Sequence, residues 1–398
     1  MTSSSGPRIM EVLSRPPIHD LIFGQLSPAG LVRFSRTCKL AQAGVQSFYN
    51  RAFNINRHLS RFFKDPIAFR SLQARTATLI SGSSALQFLD RTFYPDSDLD
   101  LYVHPGFARE IGRWLIDHEG YEYKPYESQN ADFDTQDEVI MKAMRDAGLA
   151  PGQRTFSEDL HPFMNQMYRI PGVETVFSFE RLNPNAGEDP LKVQIILASQ
   201  TPLQCILGFH STIVMNLITY NAAYALYPDA TFEKRRAIVM GRMRAERDIQ
   251  ALQKYMRRGW KFQATVPDVP IPDYFRMTMD RSVLDSYTWS IPLSLEGVEP
   301  PRPLSLTSDP LTWDPVIFSS FRLQRQHKDD LMYMWYELVS STVLRFKYLT
   351  ASEDFLEILR NFFIAQGVLM HMRVDDEQGP AHLIGSEYWA WCGAHLTL

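Results

Sequence analysis

Residues 76–84 read TATLISGSS and residues 98–103 read DLDLYV, and these two stretches decide the fold. The first is apolar and β-branched up to Gly82, so it predicts a short buried strand that ends in a Gly-Ser turn. The second alternates acidic and apolar residues, and in a strand this alternation places Asp98 and Asp100 on the same face. The sequence between the two stretches predicts a helix that begins just after the turn.

These stretches carry groups that suit a metal ion and a nucleotide. Two carboxylates one strand repeat apart can bind a hard divalent cation, usually Mg²⁺, through oxygen. A helix that begins after a Gly-Ser turn offers backbone N–H groups to a phosphate. Asp98 and Asp100 are therefore candidate metal ligands, and Gly82 and Ser83 are candidate phosphate contacts.

The order of strand, Gly-Ser, helix and Asp-x-Asp strand resembles the nucleotidyltransferase superfamily typified by DNA polymerase beta. This resemblance implies a nucleotidyltransferase-like mixed sheet with helices over residues 66–200. It implies that Asp98 and Asp100 are catalytic and hold Mg²⁺. It also implies that a nucleoside triphosphate binds beside Gly82 and Ser83.

The same superfamily has a third carboxylate on a later strand, flanked by apolar residues. Residues 175–180 and 191–197 predict two strands joined by a turn, and the second strand is the natural place for that carboxylate. Gln194 stands there instead. Glutamine offers an oxygen but no charge, and it cannot act as a base. Glu180 on the partner strand is an alternative ligand if the strand register turns it to the same face.

A basic run follows the predicted domain. Residues 234–261 hold ten Lys or Arg side chains against two acids, Glu246 and Asp248. Facing the two aspartates, these cations would suit a triphosphate or a nucleic-acid backbone, whereas on an outer face they would only be solvated. Arg235 and Arg236 are the candidate phosphate ligands, since they closely follow an apolar stretch. The net charge of -4 makes nucleic acid a less favoured partner.

The N-terminal part of the chain predicts two short amphipathic helices. Residues 16–39 read PPIHDLIFGQLSPAGLVRFSRTCK, with a Leu-Ser-Pro turn between two apolar stripes. This pattern resembles an F-box and predicts a small helical module over residues 13–65. The resemblance implies docking on a Skp-type adaptor of a cullin ubiquitin ligase through Leu21 and Leu31. The alternative is a helical hairpin that packs on the chain's own next domain.

Composition favours a cytoplasmic or nuclear protein. Its three cysteines are far apart and form no metal-binding or disulfide pattern, which fits a reducing compartment. Residues 1–7 lack the charged start and apolar run of a signal peptide. Residues 193–228 carry no charged side chain, but their amide and imidazole groups argue against a membrane span.

The whole pattern predicts an α+β protein in six segments. We expect a disordered tail at 1–12, the F-box-like module at 13–65, the nucleotidyltransferase-like domain at 66–200, a helical extension with basic helices at 201–262, a proline-rich packed region at 263–325, and C-terminal helices at 326–398. The last segment should contain one helix at about 326–348 and another at about 353–372.

Gln194 makes a degenerate transferase fold the first functional hypothesis. Such a protein would act as a binding or adaptor module, for example as a substrate receptor of a ubiquitin ligase. The alternative is an active Mg²⁺-dependent nucleotidyltransferase that moves a nucleotidyl group from a nucleoside triphosphate to an acceptor. Binding of metal and nucleotide, followed by transfer, separates the two hypotheses.

Overall fold

The computed structural model describes residues 15–146, 171–183, 189–241, 246–263, 270–301, 314–326, 331–340, 344–358 and 361. Within these ranges the protein belongs to the α+β class, with helices and an eight-stranded mixed sheet. The tail at 1–12, for which the sequence predicts disorder, lies outside the described residues. No helix in the described ranges is long and apolar enough to cross a membrane.

The central sheet is made of β1 (Leu79–Ser81), β2 (Leu99–Val103), β3 (Glu122–Lys124), β4 (Val173–Arg181), β5 (Leu191–Ala198), β6 (Asn216–Ile218), β7 (Ala222–Ala225) and β11 (Trp289–Pro292). Their order across the sheet is β11-β7-β6-β1-β2-β5-β4-β3. β2 lies between β1, to which it is antiparallel, and β5, to which it is parallel. The acidic strand therefore lies in the middle of the sheet.

Helices pack on this sheet and surround it. They are α4 (Ile55–Leu59), α5 (Pro66–Thr76), α6 (Gly82–Asp90), α7 (Ala108–Asp117), α8 (Phe133–Asp146), α9 (Pro202–Leu207) and α10 (Glu246–Arg257). α6, α7 and α9 pack directly on the strands. Because α6 begins at the residue after β1, the Gly-Ser turn has no loop that would let the two elements move apart.

Three further helices form a small N-terminal module: α1 (Pro16–Gly24), α2 (Pro28–Ser35) and α3 (Lys39–Ala52). Both α1 and α2 begin with proline, which suits the first helical turn because the missing N–H has no partner there anyway. Ser27 caps α2 by accepting a hydrogen bond from the N–H of Gly30 at 3.2 Å. The module has its own core, formed by Phe23, Leu31, Val45 and Phe48.

The module is fixed to the rest of the protein near the end of α6. The guanidinium of Arg91, the residue after α6, donates to the carbonyl of Phe23 at 3.1 Å and to that of Leu26 at 2.7 Å. Glu233 accepts a hydrogen bond from the N–H of Ala29 at 2.9 Å, in the first turn of α2. These bonds tie the last turn of α1 and the start of α2 to the main body.

Residues 201–262, predicted to be a helical extension with basic helices, hold the helices α9 and α10 where they are described, but the prediction of helix is wrong for residues 216–218 and 222–225, which form strands. β6 and β7 form an antiparallel hairpin that extends the central sheet. Thr219 closes its turn, with its N–H donating to the carbonyl of Ala222 at 2.8 Å. Besides α9 and α10, this range holds a 3₁₀ turn at Thr212–Val214, a π-helical turn at Asp229–Glu233, and the parallel pair of β8 (Arg236–Ile238) with β9 (Lys261–Gln263). A further 3₁₀ turn, Asp273–Phe275, follows β9.

Residues 326–348, predicted to be a helix, form strands where they are described, so this prediction is also wrong. β12 (Ser320–Gln326) pairs with β10 (Asp280–Ser282) and with β13 (Leu331–Trp335), and β14 (Glu337–Val339) pairs with β15 (Tyr348–Thr350). The run is rich in aromatic residues, which suit a pleated surface. Residues 353–358 are helical, and all but residue 361 of the rest of the second predicted helix lies outside the described residues.

Candidate functional site

Asp98 and Asp100 lie at the start of β2, on one face of the central sheet. Asp100 pairs in register with Ser81 of β1 and with Gln194 of β5. Asp98 is two residues earlier, so strand alternation directs both carboxylates to the same side. The two groups interact, since the charge of Asp98 contributes to raising the pKa of Asp100 beyond the effect of burial.

The Gly-Ser turn lies directly against Asp100. Gly82 has a φ of +66°, a conformation that favours glycine, and a Cβ atom at this position would lie 2.8 Å from Oδ2 of Asp100. The hydroxyl of Ser83 lies 2.6 Å from that of Ser97, in the loop that leads to Asp98. The structure therefore brings the turn and both aspartates together at the N-terminus of α6.

Gln194 lies at the position where the superfamily resemblance implies a third carboxylate. It is opposite Asp100 in the parallel β2–β5 pair, and only 3% of it is exposed. Its amide nitrogen donates to the hydroxyl of Tyr126 at 3.3 Å. This position therefore adds no negative charge beside Asp100.

Glu180, the alternative third ligand, lies one strand further away. It is in β4 and pairs in register with Lys192 of β5. β5 separates it from β2, and two strand spacings amount to about 10 Å. Its charge still helps to raise the pKa of Asp98, but Lys192 lies between Glu180 and the aspartates in the register.

Two lysines stand beside the aspartates. Lys192 of β5 places Nζ 3.8 Å from Oδ2 of Asp98. Lys254 of α10 lies near enough for its charge to lower the pKa values of Asp98 and Asp100 against the raising effect of burial. We call the set of Asp98, Asp100, Lys192, Gln194 and Lys254 the carboxylate face.

Burial dominates the protonation of these groups. Burial first, and the charge of Asp98 second, raise the pKa of Asp100 to about 7, against the opposing charges of Lys254 and Lys192. Burial also raises the pKa of Asp98, with Lys192 and Lys254 acting in the opposite direction. The pKa of Lys254 is lowered, again mainly by burial. Asp100 is thus a carboxyl group that titrates near neutral pH.

The structure places Arg235 and Arg236, the predicted phosphate ligands, away from this face. Arg235 forms an ion pair with Asp90, with 2.8 Å between Nη2 and Oδ1, and its guanidinium lies over the ring of Trp260. Asp90 ends α6, so this ion pair is one helix length, about 12 Å, from Gly82. Arg236 is exposed on β8. Arg235 is therefore held at the opposite end of α6 from Gly82.

Lys192 and Lys254 were not predicted as site residues, for two different reasons. Lys192 stands two residues before Gln194, so strand alternation was a usable signal for its position. Lys254 is one of many cations in the basic run, and its place depends on how α10 packs. Buried Tyr255 fixes that helix, and the guanidinium of Arg258 lies 3.5 Å from the ring centre of Tyr94, in the loop before Asp98.

The donor set of the carboxylate face fits Mg²⁺ poorly. Mg²⁺ takes oxygen ligands, which Asp98 and Asp100 offer, but the ammonium groups of Lys192 and Lys254 compete for the same oxygens. In the part of the chain that the structure describes, no group of three or more His, Cys, Asp or Glu side chains is placed to hold a metal ion.

No protein-family model, no curated protein and no solved structure matches this chain.

Proposed function

We propose that this chain is a nucleotidyltransferase-fold protein that binds a nucleoside triphosphate at the carboxylate face but does not transfer the nucleotidyl group. The observation that carries the proposal is the register pair of Asp100 with Gln194, in which an amide takes the place of a carboxylate. The order of β1, the Gly-Ser turn, α6 and β2, with β5 parallel to β2, supports the fold assignment.

Loss of the third carboxylate weakens transfer in two ways. In the two-metal scheme, carboxylates hold two cations that stabilise the attacking and the leaving oxygen, and Gln194 adds no charge to this set. A carboxylate there would also help the acceptor hydroxyl to lose its proton. Loss of a general base lowers a rate by roughly 10² to 10⁴.

Binding of a phosphate does not need the third carboxylate. The N-terminus of α6 carries the positive end of the helix dipole and lies beside Ser83. Lys192 beside Asp98, and Lys254, whose charge acts on both aspartates, can donate charge-assisted hydrogen bonds to phosphate oxygens. This combination supports a site that keeps nucleotide binding after losing the chemistry.

A transfer assay on the full chain tests the proposal. The protein is offered each of the four nucleoside triphosphates, with Mg²⁺ or Mn²⁺, together with RNA, protein and small-molecule acceptors. Binding is followed in parallel by equilibrium dialysis. We expect nucleotide binding, with transfer no faster than in Asp98→Ala.

The Gln194→Asp and Gln194→Asn variants form the matched pair for this assay. Transfer that arises in the aspartate variant alone supports a degenerate site, because only that variant restores the charge. Robust transfer by the unchanged protein that disappears in Asp98→Ala would establish the alternative, an active Mg²⁺-dependent nucleotidyltransferase.

A second candidate function rests on a different surface. Helix α1 exposes Ile18, Leu21 and Ile22, with exposed fractions of 39%, 76% and 47%. Their i, i+3, i+4 spacing places them on one side of the helix. Together with the F-box resemblance, this apolar surface supports docking on a Skp-type adaptor. Leu31 cannot be part of it, because this residue is fully buried in the core of the module.

Co-purification with a Skp-type adaptor tests this second function. We expect Leu21→Asp to abolish binding and Leu182→Asp to leave it unchanged. Leu182 is the matched control because it is also strongly exposed, at 84%, but directly follows β4, outside the N-terminal module. Equal binding by the two variants would exclude docking through α1.

A further inference from the structure

The position of Lys192 is fixed by strand geometry. It lies two residues before Gln194 on β5, and the parallel register that pairs Gln194 with Asp100 also brings Lys192 beside Asp98. The distance of 3.8 Å between Nζ and Oδ2 is that of an ion pair. Lys192 and Asp98 are in or next to central strands, so the ammonium group can leave Asp98 only if the side chain of Lys192 changes its rotamer.

Lys254 reaches the same face from α10. Arg258, four residues further on, lies over the ring of Tyr94 at 3.5 Å, and Tyr94 belongs to the loop that leads into β2. Residues four apart share one side of a helix, so Lys254 points toward the same loop. It interacts with the charges of Asp96, Asp98 and Asp100. Lys254 thus brings a second positive charge near the two aspartates.

The surroundings of the face carry charges of both signs. Between them, Asp98 and Lys254 interact with the carboxylates of Asp96, Asp100 and Glu180 and with the cations of Arg61, Lys192 and Arg258. A divalent cation that enters such a set gains little attraction and meets two ammonium groups near the carboxylate oxygens.

We infer that Lys192 and Lys254 act as the resident cations of Asp98 and Asp100, so that the carboxylate face takes a phosphate-bearing ligand without a divalent metal ion. The ligand class rests on the proposed function, whereas the weak metal affinity rests on the lysines alone. The lysines have two partners: the aspartates when the site is empty, and phosphate oxygens when the ligand is bound. A phosphate oxygen then replaces Asp98 beside Lys192 and also pairs with Lys254, and no metal bridge is required.

Metal binding and phosphate binding are measured separately on the full chain. Mn²⁺ is titrated and followed by the electron paramagnetic resonance signal of the free ion. Inorganic triphosphate is titrated calorimetrically, once in EDTA and once in millimolar Mg²⁺. We expect no Mn²⁺ binding below the millimolar range, and triphosphate affinities that agree within about twofold in the two buffers, a difference of under 1 kcal/mol.

Two double variants complete the test. Lys192→Met with Lys254→Met removes both resident cations, and we expect it to bind Mn²⁺ at least about tenfold more tightly while losing triphosphate affinity by a similar factor. The control is Lys234→Met with Lys261→Met, which removes two exposed lysines outside the carboxylate face and should behave as the unchanged protein. Thermal unfolding verifies that both variants are folded.

The outcomes separate the two proposals. Micromolar Mn²⁺ binding by the unchanged protein that is lost in Asp100→Asn overturns the inference, even if the double variant does not fold. Triphosphate binding that requires Mg²⁺ also overturns the inference. If no triphosphate binds in either buffer, the proposed nucleotide binding fails, and the role of the lysines is then decided by whether their removal increases Mn²⁺ affinity.

Discussion

Gln194 lies directly opposite Asp100 in the parallel pair of β2 and β5, and it is almost fully buried. A carboxylate at position 194 would therefore face a second carboxylate across one strand spacing, without solvent between them. The amide avoids this repulsion. The first prediction follows from that relationship.

Gln194→Asp should destabilise the protein more at pH 8 than at pH 5. Two buried carboxylates in register repel each other when both are ionised, and protonation of one relieves the repulsion. We expect a loss on the order of 2 kcal/mol at pH 8, measured by urea unfolding, and a smaller loss at pH 5. Gln194→Asn shortens the side chain equally but stays neutral, so its loss should not depend on pH.

Asp100→Asn should remove part of the pH dependence of stability. The pKa of Asp100 is raised to about 7 in the folded protein, so the native state holds this proton more tightly than the unfolded chain. The contribution of this proton to the free energy of unfolding is complete below the pKa of the unfolded chain, about 4, and is lost as the pH rises through 7. Asparagine mimics the protonated form at every pH. Relative to the unchanged protein, the variant should therefore gain stability from pH 4 to pH 8.

We expect this relative gain to be on the order of 1–2 kcal/mol, because partial exposure of Asp100 reduces the effect of the shift. Thermal unfolding at several pH values measures it. Asp96→Asn, a change at an exposed acid in the preceding loop, is the matched control. If both variants follow the pH profile of the unchanged protein, Asp100 does not titrate near neutrality.

Gly82→Ala should destabilise the protein and distort the carboxylate face. The left-handed backbone at this position costs alanine about 1 kcal/mol, and the added Cβ would lie 2.8 Å from Oδ2 of Asp100. Gly106→Ala provides the comparison, since its φ is also positive but nothing lies within 4 Å of the added atom. Chemical denaturation should give the larger loss for Gly82→Ala, and equal losses would mean that Asp100 simply moves aside.

Leu31→Ala should destabilise the protein far more than Leu21→Ala. Leu31 is fully buried in the core of the N-terminal module, so truncation should cost about 3 kcal/mol. Leu21 is 76% exposed, and its truncation should change stability by less than about 0.5 kcal/mol. Amide hydrogen exchange of α1–α3 measures both changes locally. Similar protection in the two variants would contradict the packing of the module.

Local sequence accounts for the carboxylate face better than for the rest of the molecule. Strand alternation and the Gly-Ser break explain why Asp98, Asp100 and Gly82 lie together, because these features act within a few residues. Leu21 and Leu31 are chemically equal, and only the packing of three helices decides which one is buried. Lys254 and Arg235 are both cations of the basic run. Only the packing of their segments decides that Lys254 interacts with Asp98 and Asp100 and that Arg235 pairs with Asp90.

The strands between residues 320 and 350 depend on partners outside each local stretch, and one of these partners is distant in the chain. β12 pairs with β10, about forty positions earlier, and β14 pairs with β15 after a further loop. An apolar and aromatic run of this length is compatible with a helix or with a strand, and the pairing decides between them. The absence of charge at residues 193–228 fits the burial of most of this stretch but does not predict the hairpin of β6 and β7.

Helix α6 connects the two surfaces to which functions are proposed. Its first residue, Gly82, touches Asp100, and Arg91, just beyond its end, holds the last turn of α1. Nine helical residues span about 13 Å, so α6 sets a fixed spacing between anything bound at α1 and a ligand at the carboxylate face. One residue inserted in this helix would lengthen that spacing by only about 1.5 Å but would turn the N-terminal module by about 100° around the axis, so orientation is far more sensitive than distance.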